Sequence, residues 1–333
     1  MDPAVTRTEA PSASLRAPFP WFGGKSRVAH VAWDRFGDVP NYVEPFAGSL
    51  AVLLTRPHEP GTETVNDLDC YVANFWRAVA ADPEAVSRWA DSPVNEADLH
   101  ARHRWLHSRD DFREHMKSDP EHFDARVAGW WCWGISAWIG SGWCRVRRDG
   151  AAPSGQLPHL VNAGMGLHRK LPHLGDAGRG LHRKLPHLGD AGRVEWISAL
   201  SARLRRVRVA CGDWSRVVGP SVTEKHGMTA VLLDPPYADD GHAIEYGAET
   251  SNVAASVREW AIANGDNPLL RIALCGYEGG DPMPPSWSEH AWKAKGGYGS
   301  QGDGRGRENA ARERVWFSPH CISAAQPSLF GAR

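Results

Sequence analysis

The chain of 333 residues contains no run of about 20 apolar residues, the length a membrane helix requires. It is therefore expected to work away from the bilayer, with no membrane partner. The opening stretch "MDPAVTRTEAPSASLRAPFP" lacks the apolar centre of a secretion signal and reads as a polar tail over 1–17. The six cysteines, Cys70, Cys132, Cys144, Cys211, Cys275 and Cys321, form no CxxC pair. That argues against a zinc cage or a disulfide framework and suits a reducing cytoplasm. No metal-ligand spacing appears elsewhere, so no metal is expected. The net charge is only −1, which gives no global electrostatic reason to bind nucleic acid.

What is present begins with an ordinary core. Hydrophobic residues make up 42% of the chain and charged residues 23%. Positive charge is unevenly placed. Arginine and histidine concentrate between Arg88 and Arg208, in "RHRWLHSR", "RVRR" and "RLRRVR". A local basic stripe on a neutral protein is a candidate nucleic-acid surface; the competing explanation is that arginine is simply abundant in this chain. Sixteen tryptophans read mainly as core, because large aromatics dominate buried contacts. The segment "GLHRKLPHLGDAGR" at Gly166–Arg179 recurs unchanged at Gly180–Arg193. This is too short a period for a solenoid and reads as a duplication within a tolerant loop.

Outside that middle region the chain has an α/β rhythm. "NYVEPFAGSLAVLLTRP" reads as strand, glycine turn and helix start. "TETVNDLDCYVANFWRAVAADP" reads as strand and helix, the helix ending at Pro83. "RVRVACGD" and "MTAVLLDPPY" are strands closing on acids, "SVREWAIANGDNPLLRIALCGY" is helix and strand, and "RERVWFSPHC" is a last strand. Such alternation predicts a doubly wound, mostly parallel sheet. Ligands of these sheets bind beyond the carboxyl ends of the strands, where Glu44, Asp67, Asp213 and Asp234 all fall.

Individual positions sharpen the expectation. Gly48 stands where a strand turns into a helix, letting a ligand approach the backbone and the free N–H groups of the helix start. That turn is not GxGxxG and no P-loop lysine follows it, which argues against a nucleoside triphosphate site. Asp67 occupies the place of a ribose-hydroxyl acceptor, while Asp69 is the better candidate to cap the following helix. In "DPPY", the Asp234 carboxylate and the Pro235 carbonyl can accept both hydrogens of an exocyclic amino group. Pro235 and Pro236 stiffen the corner, and Tyr237 offers a ring to stack on a base. Such a reader needs its base outside the double helix. The alternative is a strand followed by a proline turn.

Taken together and in order, "WFGGK", "EPFAGS", "NDLD", "CGDW" and "DPPY" resemble the motifs of the Dam-like N6-adenine DNA methyltransferases, with "CGYEG" and "RERVWFSPHC" similar to later strands of phage and prophage members. The resemblance covers about residues 18–80 and 194–320. It implies a methyltransferase fold and S-adenosyl-L-methionine as cofactor. Trp21 lies in the first cofactor motif. Lys25, Glu44, Phe46 and Gly48 would surround the methionine part, Asp67 the ribose and Asp213 the adenine, while Asp234, Pro235, Pro236 and Tyr237 would hold the target adenine of double-stranded DNA. Two departures stand out: the family usually has Asp at position 44 and a second glycine at position 50, here Glu44 and Leu50.

The implied organisation is a catalytic domain over 18–82 and 194–322, an inserted helical and loop-rich target-recognition region over 83–193, and a tail over 323–333. The resemblance also places Ser136–Arg145 near DNA. Most of the Trp130–Trp143 run is expected to be aromatic core. In the tail, "QPSLF" resembles the peptide by which bacterial replication proteins bind the sliding clamp, with Gln326 as polar anchor and Leu329 and Phe330 entering an apolar groove. Two other functions compete with adenine methylation. One is N4-cytosine methylation, whose enzymes more often carry Ser where Asp234 stands. The other is a non-catalytic DNA-bound relic, to which the intact Lys25, Asp213, Asp234 and Tyr237 are opposed.

Overall fold

The computed structural model describes residues 15–21, 24–139, 143–144, 166–167, 191–236, 248–279, 282–293 and 312–323. Tyr237, the clamp-like "QPSLF", nearly all of the tandem repeat and the glycine-rich "GGYGSQGDGRGR" lie outside these residues.

Helix α1 (Ala29–Phe36) leads into strand β1 (Asn41–Glu44) and the short helix α2 (Ala51–Leu54). Strand β2 (Thr62–Asp67) follows, then helices α3 (Cys70–Ala81), α4 (Pro83–Ala90), α5 (Glu96–His107), α6 (Asp110–Ser118) and α7 (Ala125–Ala137). Two-residue strands β3 (Trp138–Ile139) and β4 (Gly166–Leu167) pair antiparallel. The chain then forms α8 (Ala191–Leu204), β5 (Val207–Cys211), β6 (Thr229–Leu233), α9 (Ala248–Asn264), β7 (Leu270–Tyr277), β8 (Ser288–Ala291) and β9 (Glu313–Phe317).

Seven strands make one sheet in the order β5-β2-β1-β6-β7-β9-β8. The first five are parallel, and β9 runs antiparallel between β7 and β8. This is the mixed α/β arrangement of the methyltransferase fold. From β1 the chain winds outward through β2 to β5, then returns to β6 on the other side of β1 and winds outward again. The reversal makes the β1/β6 boundary the switch point at which such sheets bind ligands. Glu44 ends β1, and Asp234 immediately follows β6.

Local chemistry accounts for the elements. The central strand β6, "TAVLL", is buried along its whole length, as expected of a parallel strand covered on both faces. Asp69 caps α3 by accepting from the Tyr71 amide at 2.8 Å, and Asp82 caps α4, whose first residue is Pro83, a position where the missing N–H costs nothing. Asn95 and Asp124 cap α5 and α7 in the same way. Strand β8 was not anticipated: "SEHA" is an exposed sheet edge with no apolar alternation to announce it.

The tryptophan-rich stretch is largely core. Trp131, Trp133 and Trp143 are buried, and Phe19, Phe75 and Trp131 pack edge to face, with Phe19 centroids 5.1 and 4.9 Å from the other two rings. A side chain on Gly134 would meet the Trp143 ring at 1.8 Å, so the close approach of Trp143 to α7 requires glycine. Helices α4–α7 thus share one apolar cluster with α3 and α8.

Among the described residues, several arginines of the stripe are engaged internally. Arg102 stacks on Trp133 at 4.2 Å, Arg126 on Trp130 at 4.1 Å, and Arg109 pairs with Asp111 at 3.1 Å. In "RLRRVR", Arg203 pairs with buried Glu63. Arg205 and Arg206 precede the amino end of edge strand β5, opposite the end where the strand-tip acids lie. They therefore lie at the end of the sheet away from those acids.

Candidate active site

The site is assembled from the carboxyl tips of β1, β2, β5 and β6 and from the segment before α1. At its centre, Lys25 Nζ lies 2.9 Å from Asp234 Oδ1. Burial opposes the charge on Lys25, but Asp234, with Cys275 and Glu313 beyond it, holds the pKa well above the usual lysine value. The same ammonium faces the Trp292 ring, 5.7 Å from its centroid. Pro235 and Pro236 continue the tip and have no backbone N–H, so this corner presents an acid and carbonyls without competing donors.

Glu44 is only 4% exposed. The Tyr42 hydroxyl donates to its Oε2 at 3.0 Å. Burial pushes the Glu44 carboxyl up to about 8, against the hydrogen bonds from Tyr42 and the Leu53 amide, and the Asp234 and Asp67 carboxylates push it the same way. Asp67 is raised to about 7, first by burial and then by Asp69, although the amides of Gly48, Asp69 and Leu68 donate to it. Two of these bonds, Gly48 N to Oδ2 and Asp69 N to Oδ1, are both 2.9 Å. Among the described residues, three acids therefore converge on this region, and the buried cation beside them, Lys25, is paired with Asp234.

The glycine turn is tightly sealed. Gly48 has φ +45°, and a side chain there would lie 2.4 Å from Trp21 Nε1, so Trp21 lies directly against the turn. The Trp76 indole donates to the Gly48 carbonyl at 2.9 Å. Leu50, at the position where the family pattern has glycine, adopts the left-handed conformation with φ +52° while fully buried. A non-glycine residue there carries about 1–2 kcal/mol of backbone strain, which its burial offsets.

Phe46 stacks on Trp214 with centroids 6.3 Å apart and planes 26° apart. Asp213 is exposed, and its Oδ1 accepts from the Ser215 amide at 2.9 Å, capping the short turn Trp214–Val217. It thus has a structural duty at the edge of the same cleft.

Several contributors went unnoticed in the sequence. Asn66, fully buried, donates to the Pro45 carbonyl at 3.0 Å and the Gly212 carbonyl at 2.9 Å, tying together the tips that carry Glu44, Asp67 and Asp213. Glu313, buried on β9, reinforces the charge of Lys25 from across the sheet. Both act through long-range pairing that no local motif announces.

This is the arrangement of an α/β methyltransferase with an acid-lined switch point. Residues 21–140 match the family model described as D12 class N6 adenine-specific DNA methyltransferase. Over those residues the chain is similar to enzymes that methylate adenine in DNA. The match spans Trp21, Lys25, Glu44, Phe46, Gly48 and Asp67. No curated protein matches the chain. No helix among the described residues is long and apolar enough to cross a membrane, and they contain no group of three or more His, Cys, Asp or Glu side chains able to hold a metal ion.

Proposed function

We propose that the chain transfers a methyl group from S-adenosylmethionine to the N6 amino group of a flipped adenine in double-stranded DNA. The observation that carries this reading is the Asp234–Pro235–Pro236 corner, anchored by Lys25 at 2.9 Å beside the acid-lined tips of β1 and β2. The donor set fits the proposed cofactor: an excess of buried carboxylates over cations favours a ligand with a sulfonium and an ammonium. Lys25, Glu44, Phe46, Gly48 and Trp21 would surround its methionine end, Asp67 its ribose and Asp213 its adenine. The cofactor supplies an already activated methyl group.

The protein's share of the chemistry is orientation and charge. Lys25 fixes the Asp234 carboxylate. Asp234 and the Pro235 carbonyl accept the two amino hydrogens, favouring a nitrogen whose lone pair is free of the ring and aimed for in-line attack. Asp234 is then placed to receive the proton that the methylated nitrogen releases. Tyr237, the next residue in sequence, is assigned to stack on the extruded base.

Residues 83–193 are proposed as the target-recognition insert, their described helices buttressing the core and the segment after α7 reaching DNA. Clamp docking through Gln326, Leu329 and Phe330 belongs to the same proposal, as do a phage or prophage setting, a place in restriction-modification and a cytoplasmic location. A clamp pull-down unchanged by Leu329→Ala with Phe330→Ala removes the docking element.

The deciding experiment is transfer of labelled methyl groups to DNA, followed by nucleoside analysis. Label in N6-methyladenine for wild type, and none for Asp234→Ala, is expected. Label in N4-methylcytosine would move the substrate to cytosine. An inactive wild type that still binds DNA would make the chain a relic.

A further inference from the structure

Two thiols sit beside the proposed cofactor cleft without a role in it. Cys70 opens α3, and Cys211 ends β5. They are 141 residues apart in sequence, and their sulfurs are 3.7 Å apart. All six cysteines are free and buried, but among them Cys70 has the setting of a reactive thiol. It lies at the amino end of a helix, where thiolates are favoured. Cys211 donates to its sulfur, and Lys117 and Arg113 add positive potential, so its pKa is held below the usual value despite burial and nearby Asp69. It is 7% exposed, and Leu68, two residues before it, is 68% exposed, so Cys70 lies next in the chain to a surface turn. Cys132, Cys144, Cys275 and Cys321 are instead pushed up by burial.

We propose that Cys70 and Cys211 are a redox-sensitive dithiol, oxidised by hydroperoxides to a disulfide that closes down the nucleoside side of the cleft. The effect on cofactor rests on the function proposed above; the disulfide itself does not. In the first step the Cys70 thiolate attacks the peroxide O–O bond, forming a sulfenic acid and releasing hydroxide. Cys211 then attacks the Cys70 sulfur and a second hydroxide leaves. The protons of the two thiols convert both hydroxides to water. Two thiols and one hydrogen peroxide thus give one disulfide and two waters.

The geometry says what would move. A disulfide needs its sulfurs at about 2.05 Å, closer than the present 3.7 Å; the proposed closure combines rotation of the two side chains with approach of the first turn of α3 and the tip of β5. Asp67 is coupled to both. It pairs in register with Cys211, its carbonyl accepts from the Gly212 amide at 3.1 Å, and its carboxylate accepts from the Asp69 amide at 2.9 Å. Asp213 follows Cys211 by two residues. Oxidation would therefore displace the proposed ribose and adenine acceptors while leaving the Lys25–Asp234 pair on the far side of β1 in place.

The test treats the full chain with hydrogen peroxide, quenches it, alkylates remaining thiols under denaturing conditions and maps the peptides by mass. A Cys70–Cys211 cross-linked peptide, lighter than the thiol pair by two hydrogens and reversed by dithiothreitol, is expected; Cys70→Ser and Cys211→Ser should each lack it. Free thiols at both positions overturn the proposal, as does sulfinic acid on Cys70 with no cross-link. If either serine variant misfolds, the wild-type map still decides. Calorimetry with S-adenosylmethionine should show about tenfold weaker binding by the oxidised protein, within the usual range of site coupling. Equal affinity of both forms overturns the regulatory part. No binding by reduced protein would count against the function proposed above and leave the cross-link result standing.

Discussion

Glu63, near the start of β2, and Glu44, at the tip of β1, lie on adjacent strands and are comparably hidden from water, 1% and 4% exposed. Their surroundings differ. Glu63 is held by two guanidiniums, Arg56 at 3.2 Å and Arg203 at 2.6 and 2.8 Å. Glu44 receives a tyrosine hydroxyl and a backbone amide, and its charged neighbours include two further carboxylates. Burying a charge is tolerable when it is paired and hydrogen-bonded. The amino end of the sheet meets that condition and reads as structure. The carboxyl end leaves it unmet at Glu44 and Asp67, the signature of a site prepared for a ligand.

Mutations at the two ends should separate these roles. Asp234→Ala is expected to lower methyl transfer by about 10³-fold or more, about 4 kcal/mol of transition-state stabilisation, with cofactor binding largely retained in calorimetry. A variant that fails to fold would contradict the catalytic assignment of Asp234. Glu63→Ala should do the reverse: it strands two arginines and should cost about 3–5 kcal/mol in denaturant unfolding, while the cofactor affinity of the remaining folded protein stays near wild type.

The pH dependence of stability sharpens the contrast. Burial pushes the Glu44 carboxyl from its usual 4.5 up to about 8 in the folded state. Between those values the folded state keeps a proton that the unfolded chain has released. Its contribution is fully present below about 4.5 and is lost as pH rises through about 8, a change on the order of a few kcal/mol. Cofactor-free wild type should lose stability across that window, and Glu44→Gln should flatten the curve. A slope unchanged by the substitution would show that Glu44 is not its source. The smallest expected effect is at Asp69, whose capping bond to Tyr71 is worth about 1 kcal/mol. Asp69→Ala should lower the unfolding midpoint modestly; a collapse of the cleft would mean that the cap also holds Asp67.

The strand-ending acids, the central apolar strand and the Asp69 cap were legible in sequence because each is a local pattern: alternating elements, a continuous apolar run, an acid before a helix. "DPPY" was legible because proline removes donors and conformational freedom at a fixed place. What escaped depends on distant pairing. Asn66 and Glu313 become part of the site only once strands far apart in sequence align, and Trp214 meets Phe46 only across the sheet. The arginines are legible only in part: composition marks a basic stripe, and among the described residues Arg102, Arg109, Arg126 and Arg203 are engaged by aromatic rings and acids of the fold itself. Leu50 is a departure that sequence flags and structure explains, since the backbone keeps the left-handed turn and burial of the side chain offsets the strain.

The measurement closest to the central claim is calorimetry of S-adenosylmethionine binding near pH 7 in buffers of different ionisation heats. If the carboxyl end holds acids that lack sufficient positive charge, the cationic ligand should be taken up with release of protons, and Glu44→Gln should reduce that release. Binding with no buffer dependence in wild type would contradict the account.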